Sequence, residues 1–271
     1  MKPKPSFPNQ LELLSQAKKK FGEITTYFGG YKNPIGIEVE VENVTNSTNG
    51  IPIYWDYTHD NSLKVKGQEF VSAPVSGHNI DYAIHELGAI LKQTAPDALW
   101  SHRTSIHVHC NISDLPRPKL ELFIAYYALL EPLFFSFVAP HRHGNSFCYP
   151  VVDVLPADVK KYVGNGQIKY CAFNVGAVGT HNTIEFRHLE GTGDLTKIRR
   201  WVQLVVKLYD YIESNNLQTL KSRFQGLGTK KNYSELLSEI FGKTAALFNK
   251  LDHRAMMYQN YKWSSIFLRG A

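Results

Sequence analysis

Residues 182–192, which read NTIEFRHLEGT, decide the fold class predicted for this chain. Within them Ile184 and Phe186 alternate with Glu185 and Arg187. Successive side chains of a β-strand point to opposite faces of its sheet, so the alternation predicts a strand with an apolar back and an ionisable front. A carboxylate and a guanidinium are therefore expected to point the same way from one strand.

Three further segments repeat this pattern with other ionisable side chains. Alternation of this kind is typical of antiparallel sheets in which one face is covered and the other is polar. We therefore expect an α+β protein whose mainly antiparallel sheet carries acidic and imidazole groups on one face. The segments are residues 36–42 (GIEVEVE, with Glu38 and Glu40), residues 68–74 (QEFVSAP, with Glu69) and residues 105–110 (SIHVHC, with His107 and His109).

The composition indicates a globular, soluble protein. The chain has 271 residues, of which 43% are hydrophobic, enough for one large domain or two small ones. Its most apolar stretch, residues 120–138, is interrupted by Glu121, Glu131 and Pro132, which predicts a buried helix and not a membrane span. The first ten residues have no apolar run, so no signal peptide is predicted. We expect a cytoplasmic protein without a membrane partner.

The spacing of the cysteines and the net charge indicate the cellular compartment and the kinds of partner to expect. The three cysteines lack the spacing of a disulfide framework or a zinc knuckle, which fits a reducing cytoplasm. The net charge of +6 favours polyanionic partners, but the basic residues form short clusters that are typical of a solvated surface. Phosphate-bearing ligands fit this charge. Nucleic acid is possible but not indicated, because no recognition motif is present.

Hydrophobic periodicity assigns the other elements. Apolar residues recur at helical spacing in some segments and alternate with polar residues in others. The predicted helices are residues 11–21, 80–94, 120–138, 195–213 and 234–251; the predicted strands are residues 35–44, 53–57, 63–74, 105–110, 169–175 and 183–189; the predicted loops are residues 140–145, 150–166 and 176–182.

The ionisable strand faces suggest a metal site. Several carboxylates with one imidazole suit Mg²⁺ or Mn²⁺, particularly when the ion also holds phosphate oxygens, and an arginine could stabilise a transferring phosphoryl group. Each pattern alone also fits a solvated sheet face, a zinc site, a hydrogen-bonded histidine pair or a cross-strand ion pair. Their recurrence favours one shared site, with Glu38, Glu40, Glu69, His107 or His109, and Glu185 as candidate ligands and Arg187 beside them.

The order of these motifs resembles the amidoligase family of the glutamine synthetase and γ-glutamylcysteine ligase superfamily. The likeness covers residues 35–208 and consists of short motifs in the family's order. The chain departs from the family pattern at Ser105, where relatives often have glycine. The matching motifs are Gly36-x-Glu38-x-Glu40, Asp60-x-Ser62-Leu63, Gly67-x-Glu69-x-Val71-Ser72-x-Pro74, His107-x-His109, Arg142, Asn174, and TIEFR at residues 183–187 followed by Gly191-Thr192.

The resemblance implies a fold and a domain organisation. The fold would be a curved, mainly antiparallel sheet with helices packed on its convex face, a glutamine synthetase-like catalytic domain whose concave face binds metal and ATP. The catalytic domain would span residues 31–215. Outside the resemblance, the helical patterns predict an N-terminal helical extension over residues 1–30 and a C-terminal helical segment over residues 216–271, packed on the same domain.

The resemblance also implies roles for the site residues. The acidic and imidazole groups would hold Mg²⁺ or Mn²⁺, and the arginines would contact phosphate or a substrate carboxylate. The implied metal ligands are Glu38, Glu40 and Glu69, with His107 and Glu185 on the ion that bridges the ATP phosphates and His109 as an alternative to His107. The implied phosphoryl contact is Arg187, with Arg142 on a phosphate or a substrate carboxylate and Asn174 in the ATP site.

The implied reaction is ATP-dependent joining of a carboxylate to an amine through an acyl phosphate. The substrates would be small-molecule or peptide carboxylates and amines. Three alternatives stay open: a phosphotransferase on the same fold, a metal-dependent hydrolase with His107 and His109 on zinc, and a non-catalytic binder.

Overall fold

The computed structural model describes residues 33–46, 52–162, 168–228, 231–248 and 254–270. It confirms the predicted α+β class. The strands are β1 (Ile35–Val41), β2 (Trp55–Thr58), β3 (Gln68–Ser72), β4 (Ser105–Asn111), β5 (Phe173–Asn174) and β6 (Thr183–Glu190). The α-helices are α1 (His78–Thr94), α2 (Arg117–Phe137), α3 (Pro156–Tyr162), α4 (Val178–His181), α5 (Leu195–Ser214), α6 (Leu217–Gln225), α7 (Lys231–Phe241) and α8 (Arg254–Arg269).

The six strands form one antiparallel sheet in the order β2-β3-β1-β4-β6-β5. The chain divides into two compact units. Unit 1 comprises Met1–Val108 and Glu190–Arg199, and unit 2 comprises His109–Leu189 and Arg200–Ala271. Strands β4 and β6 and helix α5 therefore contribute residues to both units.

In unit 1, alternation of apolar and acidic residues orients the first strands. Strand β3 pairs antiparallel with both β1 and β2, and Glu40 lies opposite Glu69. Ile37, Val39 and Val41 are fully buried, so the two intervening glutamates point to the other face of the strand. Helix α1 is tied to the start of β2 because the buried carboxylate of Glu86 accepts hydrogen bonds from two backbone amides there.

In unit 2, helix α2 forms the centre of an aromatic core. The ring of Phe134 lies 5.7 Å from those of Phe186 in β6 and Trp201 in α5, measured between centroids. Tyr127 stacks on Phe173 of β5 at 4.0 Å. Helix α8 packs along α2 as well. Because α2 is apolar nearly all round, it can bury every side against these neighbours.

Helix α2 is long and apolar enough to cross a membrane by length and composition. In the structure, however, 78% of its most apolar 18-residue window is buried inside the protein. Extensive burial among protein side chains is what a core helix shows, in agreement with the prediction of a buried helix over residues 120–138.

The predicted strand over residues 63–74 is wrong in its first part. Only Gln68–Ser72 is a strand. The backbone amides of Lys64 and Val65 donate to the carboxylate of Glu42, at 2.6 and 3.3 Å. Lys66 has a left-handed φ of 44°. Because a side chain takes up these amides, they are not available for pairing with a neighbouring strand.

The predicted strand over residues 169–175 shortens to Phe173–Asn174, and the predicted loop over residues 176–182 is helical. The amide of Cys171 donates to the carbonyl of Ile168, which forms a turn before the strand. The side chain of Asn174 accepts a hydrogen bond from the amide of Gly176 and caps the helical turn that leads into α4.

The C-terminal part contains several helices. The helix predicted over residues 234–251 is α7, which ends earlier, at Phe241, and is followed by a 3-10 helix over Gly242–Leu247. Helix α3 lies within the segment predicted to be turn-rich, residues 150–166. The helix predicted over residues 11–21 lies outside the described residues, and the predicted domain boundaries stay predictions.

Candidate active site

Unit 1 brings together three side chains with metal-ligand chemistry. Glu40 of β1, Glu69 of β3 and His107 of β4 each offer a ligand atom, and these atoms lie within 4.8 Å of one another. Glu40 is 5% exposed and His107 is 2% exposed, so the cluster is largely shielded from water. Carboxylates held this close repel each other unless a cation or a proton lies between them. The donor set, two carboxylates and one imidazole, suits Mg²⁺ or Mn²⁺.

Ser105 links two members of this cluster through hydrogen bonds. Its Oγ lies 2.5 Å from Oε2 of Glu40 and 2.7 Å from Nε2 of His107. On the other side of the ring, Nδ1 of His107 lies 3.1 Å from Oε2 of Glu38. A metal ion can bind a ring nitrogen of His107 only when that nitrogen carries no proton, so it would replace one of these hydrogen bonds.

Unit 2 holds the second group of predicted site residues, around the carboxylate of Glu185. The antiparallel register of β5 and β6 places Asn174 opposite Glu185, and its amide donates to Oε2 at 2.6 Å. The guanidinium of Arg187 donates to Oε1 of the same carboxylate and to the carbonyl of Phe147. Strand alternation therefore does bring the carboxylate and the guanidinium together, as the sequence predicts.

The two histidines of β4 have different neighbours in the structure. His107 belongs to the cluster with Glu40 and Glu69. In unit 2, Nδ1 of His109 lies 2.9 Å from Oγ1 of Thr183, and its Nε2 lies 3.9 Å from Oε1 of Glu185. Among the residues that the structure describes, no cluster of potential metal ligands includes His109. His107 is therefore the better metal-ligand candidate of the two.

Arg142 is placed where it supports strand β6. It is 1% exposed, and its Nε and Nη2 donate to the carbonyls of His188 and Arg187, at 2.9 and 2.6 Å. Two of its donor groups are thus used on the backbone that carries Arg187. A direct contact between Arg142 and phosphate or a substrate carboxylate stays a prediction.

A buried polar network in unit 2 was not expected from the sequence. The hydroxyl of Tyr127 lies 2.7 Å from both Oε1 of Glu131 and Nε2 of His188. Glu131 also accepts hydrogen bonds from the amides of Val151 and Val152. Burial raises the pKa of Glu131 to about 7. Burial, together with the charge of Arg142, lowers the pKa of His188 well below its ordinary value.

All three cysteines are free and buried. Burial raises the pKa of Cys148 to about 11 and that of Cys171 to about 12. It also raises the pKa of Cys110 well above its usual value. These thiols are therefore protonated at neutral pH.

Two polar residues contact the site although the sequence did not predict a role for them there. Ser105 stands two residues before His107, and Thr183 stands two residues before Glu185. Side chains at i and i+2 of a strand share a face, so the alternation itself contained the signal. Serine and threonine are common in strands and are not metal ligands of choice, so their residue types alone do not indicate a role in the site.

Comparison with protein-family models gives no match, and comparison with curated proteins gives none either. The family indicated by the motifs therefore stays a prediction.

Proposed function

We propose that this protein is an ATP-dependent carboxylate–amine ligase with a glutamine synthetase-like catalytic domain. The observation that carries the proposal is the cluster of Glu40, Glu69 and His107, which three different strands bring within 4.8 Å of one another. The order of motifs along the chain supports it, since the cluster uses residues from three of those motifs.

The residues present fit a divalent metal ion. Glu40, Glu69 and His107 would hold Mg²⁺ or Mn²⁺, with Glu38 beside the imidazole. When bound, such an ion neutralises charge on the phosphate oxygens of ATP and on the phosphoryl group in transfer. Glu185 and His109 stay predicted ligands.

The reaction would proceed in two steps. An oxygen of the substrate carboxylate attacks the γ-phosphorus of ATP, the bond between this phosphorus and the bridging oxygen breaks, and an acyl phosphate and ADP form. The amine nitrogen then attacks the acyl carbon, phosphate leaves, and the amine loses a proton to solvent. The Arg187 guanidinium would neutralise charge on the phosphoryl group, and Asn174 would hold Glu185 in place beside it.

The test begins with the metal, because its binding does not require knowledge of the substrates. We expect Mn²⁺ to bind the wild-type protein in a titration calorimeter and Glu69→Gln to weaken binding at least tenfold. The matched control is Glu235→Gln, which removes an exposed carboxylate (57% side-chain exposure) from α7. Unchanged Mn²⁺ affinity in Glu69→Gln, or equal loss in the control, would overturn the metal centre.

Nucleotide binding is tested next, by thermal unfolding with Mg²⁺ and a non-hydrolysable ATP analogue. At about 100 times its dissociation constant a ligand stabilises the native state by roughly 2.7 kcal/mol. We expect a shift that requires both metal and nucleotide. Release of ADP together with an amide would support the ligase. A phosphorylated product without an amide would select a phosphotransferase, and chelator-sensitive turnover without ATP would select a hydrolase.

A further inference from the structure

Unit 2 contains a cavity of about 530 Å³ between helices α2, α6 and α8. Small-molecule sites in proteins typically measure roughly 300–1,000 Å³. Its apolar wall includes Leu122, Phe224, Tyr261 and Leu268. The rings of Phe224 and Tyr261 are tilted against each other with centroids 5.3 Å apart. The wall therefore offers aromatic and aliphatic surface to an apolar molecule of moderate size.

The charged lining of this cavity is mainly positive. It consists of Lys221, Arg269 and Glu121. Oε1 of Glu121 already accepts a hydrogen bond from Nε of Arg117, at 3.2 Å. In the part of the chain that the structure describes, Lys221 and Arg269 have no acidic partner within ion-pair distance. The lining thus contains two cations and one carboxylate, and this carboxylate is hydrogen-bonded to Arg117.

A third cation, Lys160 of α3, is not one of the lining residues, but its Nζ lies near the end of α8 that carries Leu268 and Arg269, 3.4 Å from a Cβ added to Gly270. Its ammonium is hidden from solvent and has no hydrogen-bond partner among the described residues. It lies 4.8 Å from the ring centroid of Phe267 in α8. Burial lowers the pKa of Lys160, whereas the charge of Glu121 in the cavity wall acts in the opposite direction. An ammonium that has lost water without gaining an acceptor is costly, and an anion would remove that cost.

The geometry points to a ligand site in this cavity for an organic anion, in which an apolar or aromatic body carries a carboxylate or a phosphate. The apolar body would lie against Phe224 and Tyr261, and the anionic group would be attracted by Lys160, Lys221 and Arg269. None of the lining residues belongs to the proposed metal centre, so this site does not rest on the proposed ligase activity.

The experiment uses the full chain and three soluble probes in a titration calorimeter. They are 4-phenylbutyrate, phenyl phosphate and the uncharged 4-phenylbutyramide. We expect at least one anion to bind, and the amide to bind at least tenfold more weakly. Comparison of the two anions shows whether a carboxylate or a phosphate is preferred.

Three variants show whether binding occurs in this cavity. Lys160→Met should weaken binding of the anion about tenfold, because one of the three attracting positive charges is lost. Leu268→Trp should fill the cavity and abolish binding. Lys207→Met, which removes an exposed lysine from α5, should leave binding unchanged. The inference is overturned if neither anion binds, if the amide binds as well as the anions, or if Lys160→Met and Leu268→Trp both bind like the wild type.

Discussion

One hydroxyl group, that of Ser105, contacts two of the side chains that would hold the metal. Groups that orient metal ligands typically change metal affinity about 10- to 100-fold when removed. We therefore predict that Ser105→Ala weakens Mn²⁺ binding by at least tenfold while the protein stays folded. Ser113→Ala, which removes an exposed loop hydroxyl, is the control. Equal Mn²⁺ affinities in both variants would show that Ser105 does not orient the cluster.

The ring of His107 gives a second prediction at this scale. Because His107 offers one of the ligand atoms of the cluster, His107→Gln should lose most of the Mn²⁺ affinity, measured by titration calorimetry. Unchanged affinity in this variant would contradict the assignment of His107 as a ligand.

Arg187 is suited to phosphoryl contact by its shape as well as its charge. Its planar guanidinium bonds to the Glu185 carboxylate and the Phe147 carbonyl at once. Lysine offers a point charge and cannot reproduce this fork. We predict that Arg187→Lys lowers the rate of ADP formation by roughly 100-fold, the size typical of losing one transition-state donor. Retained rate would show that the arginine is structural.

At the scale of elements, the turn that follows β6 depends on a glycine. A Cβ added to Gly191 would lie 2.2 Å from Oγ1 and 2.6 Å from Cβ of Thr104. We predict that Gly191→Ala lowers the free energy of unfolding by about 1–3 kcal/mol, as overpacking does. Gly226→Ala is the matched control, since its Cβ would meet nothing within 4 Å and its φ is −68°. Similar urea midpoints for both variants would contradict the close approach.

Helix α2 carries a carboxyl group whose titration should affect stability. Folding raises the pKa of Glu131 from its ordinary 4.5 to about 7, so the native state holds the proton more tightly than the unfolded chain. The contribution of Glu131 to the free energy of unfolding is therefore fully present below pH 4.5 and is lost as the pH rises through 7. The loss would be roughly 3 kcal/mol, since each pKa unit corresponds to about 1.4 kcal/mol.

The variant Glu131→Gln isolates this effect, measured by urea unfolding at pH 5 and pH 8. Relative to the wild type, the variant should gain stability between the two pH values. His188 acts in the opposite direction, because its lowered pKa costs stability as the pH falls below 6.5. His188 is present in both proteins, so its own titration largely cancels from the difference between them. A pH-independent difference would disprove the raised pKa.

At the scale of the whole molecule, the ring of Phe134 packs against much of the aromatic core of unit 2. We predict that Phe134→Ala lowers the free energy of unfolding by about 3–5 kcal/mol, the usual cost of removing a buried phenyl ring. Tyr258→Ala, at a position that is 36% exposed, should cost far less. Chemical unfolding of both variants tests this. The ring of Phe134 lies within 6.3 Å of those of Tyr127, Phe186, His188, Trp201, Phe241 and Phe248.

Hydrophobic periodicity correctly predicted the helices and strands whose buried residues recur at regular spacing. Helices α1, α2 and α5 begin and end within three residues of their predicted bounds, and β4 and β6 lie where alternation places them. The predictions were wrong where a side chain accepts hydrogen bonds from backbone amides. The Glu42 carboxylate accepts from residues 64 and 65 in a predicted strand, and Asn174 caps a helical turn in a predicted loop. Such hydrogen bonds depend on tertiary position, which residue spacing does not record.

The candidate site was predictable in part for the same reason. Alternation shows that Glu185 and Arg187 share a face, and they do contact each other. Alternation cannot show that Glu40 lies opposite Glu69. That contact depends on the register of β1 and β3, which pair in the sheet although β2 lies between them along the chain. Nor does alternation distinguish His107 from His109, which differ in their neighbours and not in their spacing.

The burial of all three cysteines makes this chain convenient for site-specific labelling. Their thiols are shielded and protonated at neutral pH, so a maleimide reagent should modify them slowly. A single cysteine introduced at an exposed position such as Ser113 can then carry a fluorophore or a spin label without removal of any native thiol. The wild-type sequence itself thus provides the unreactive background that such spectroscopy requires.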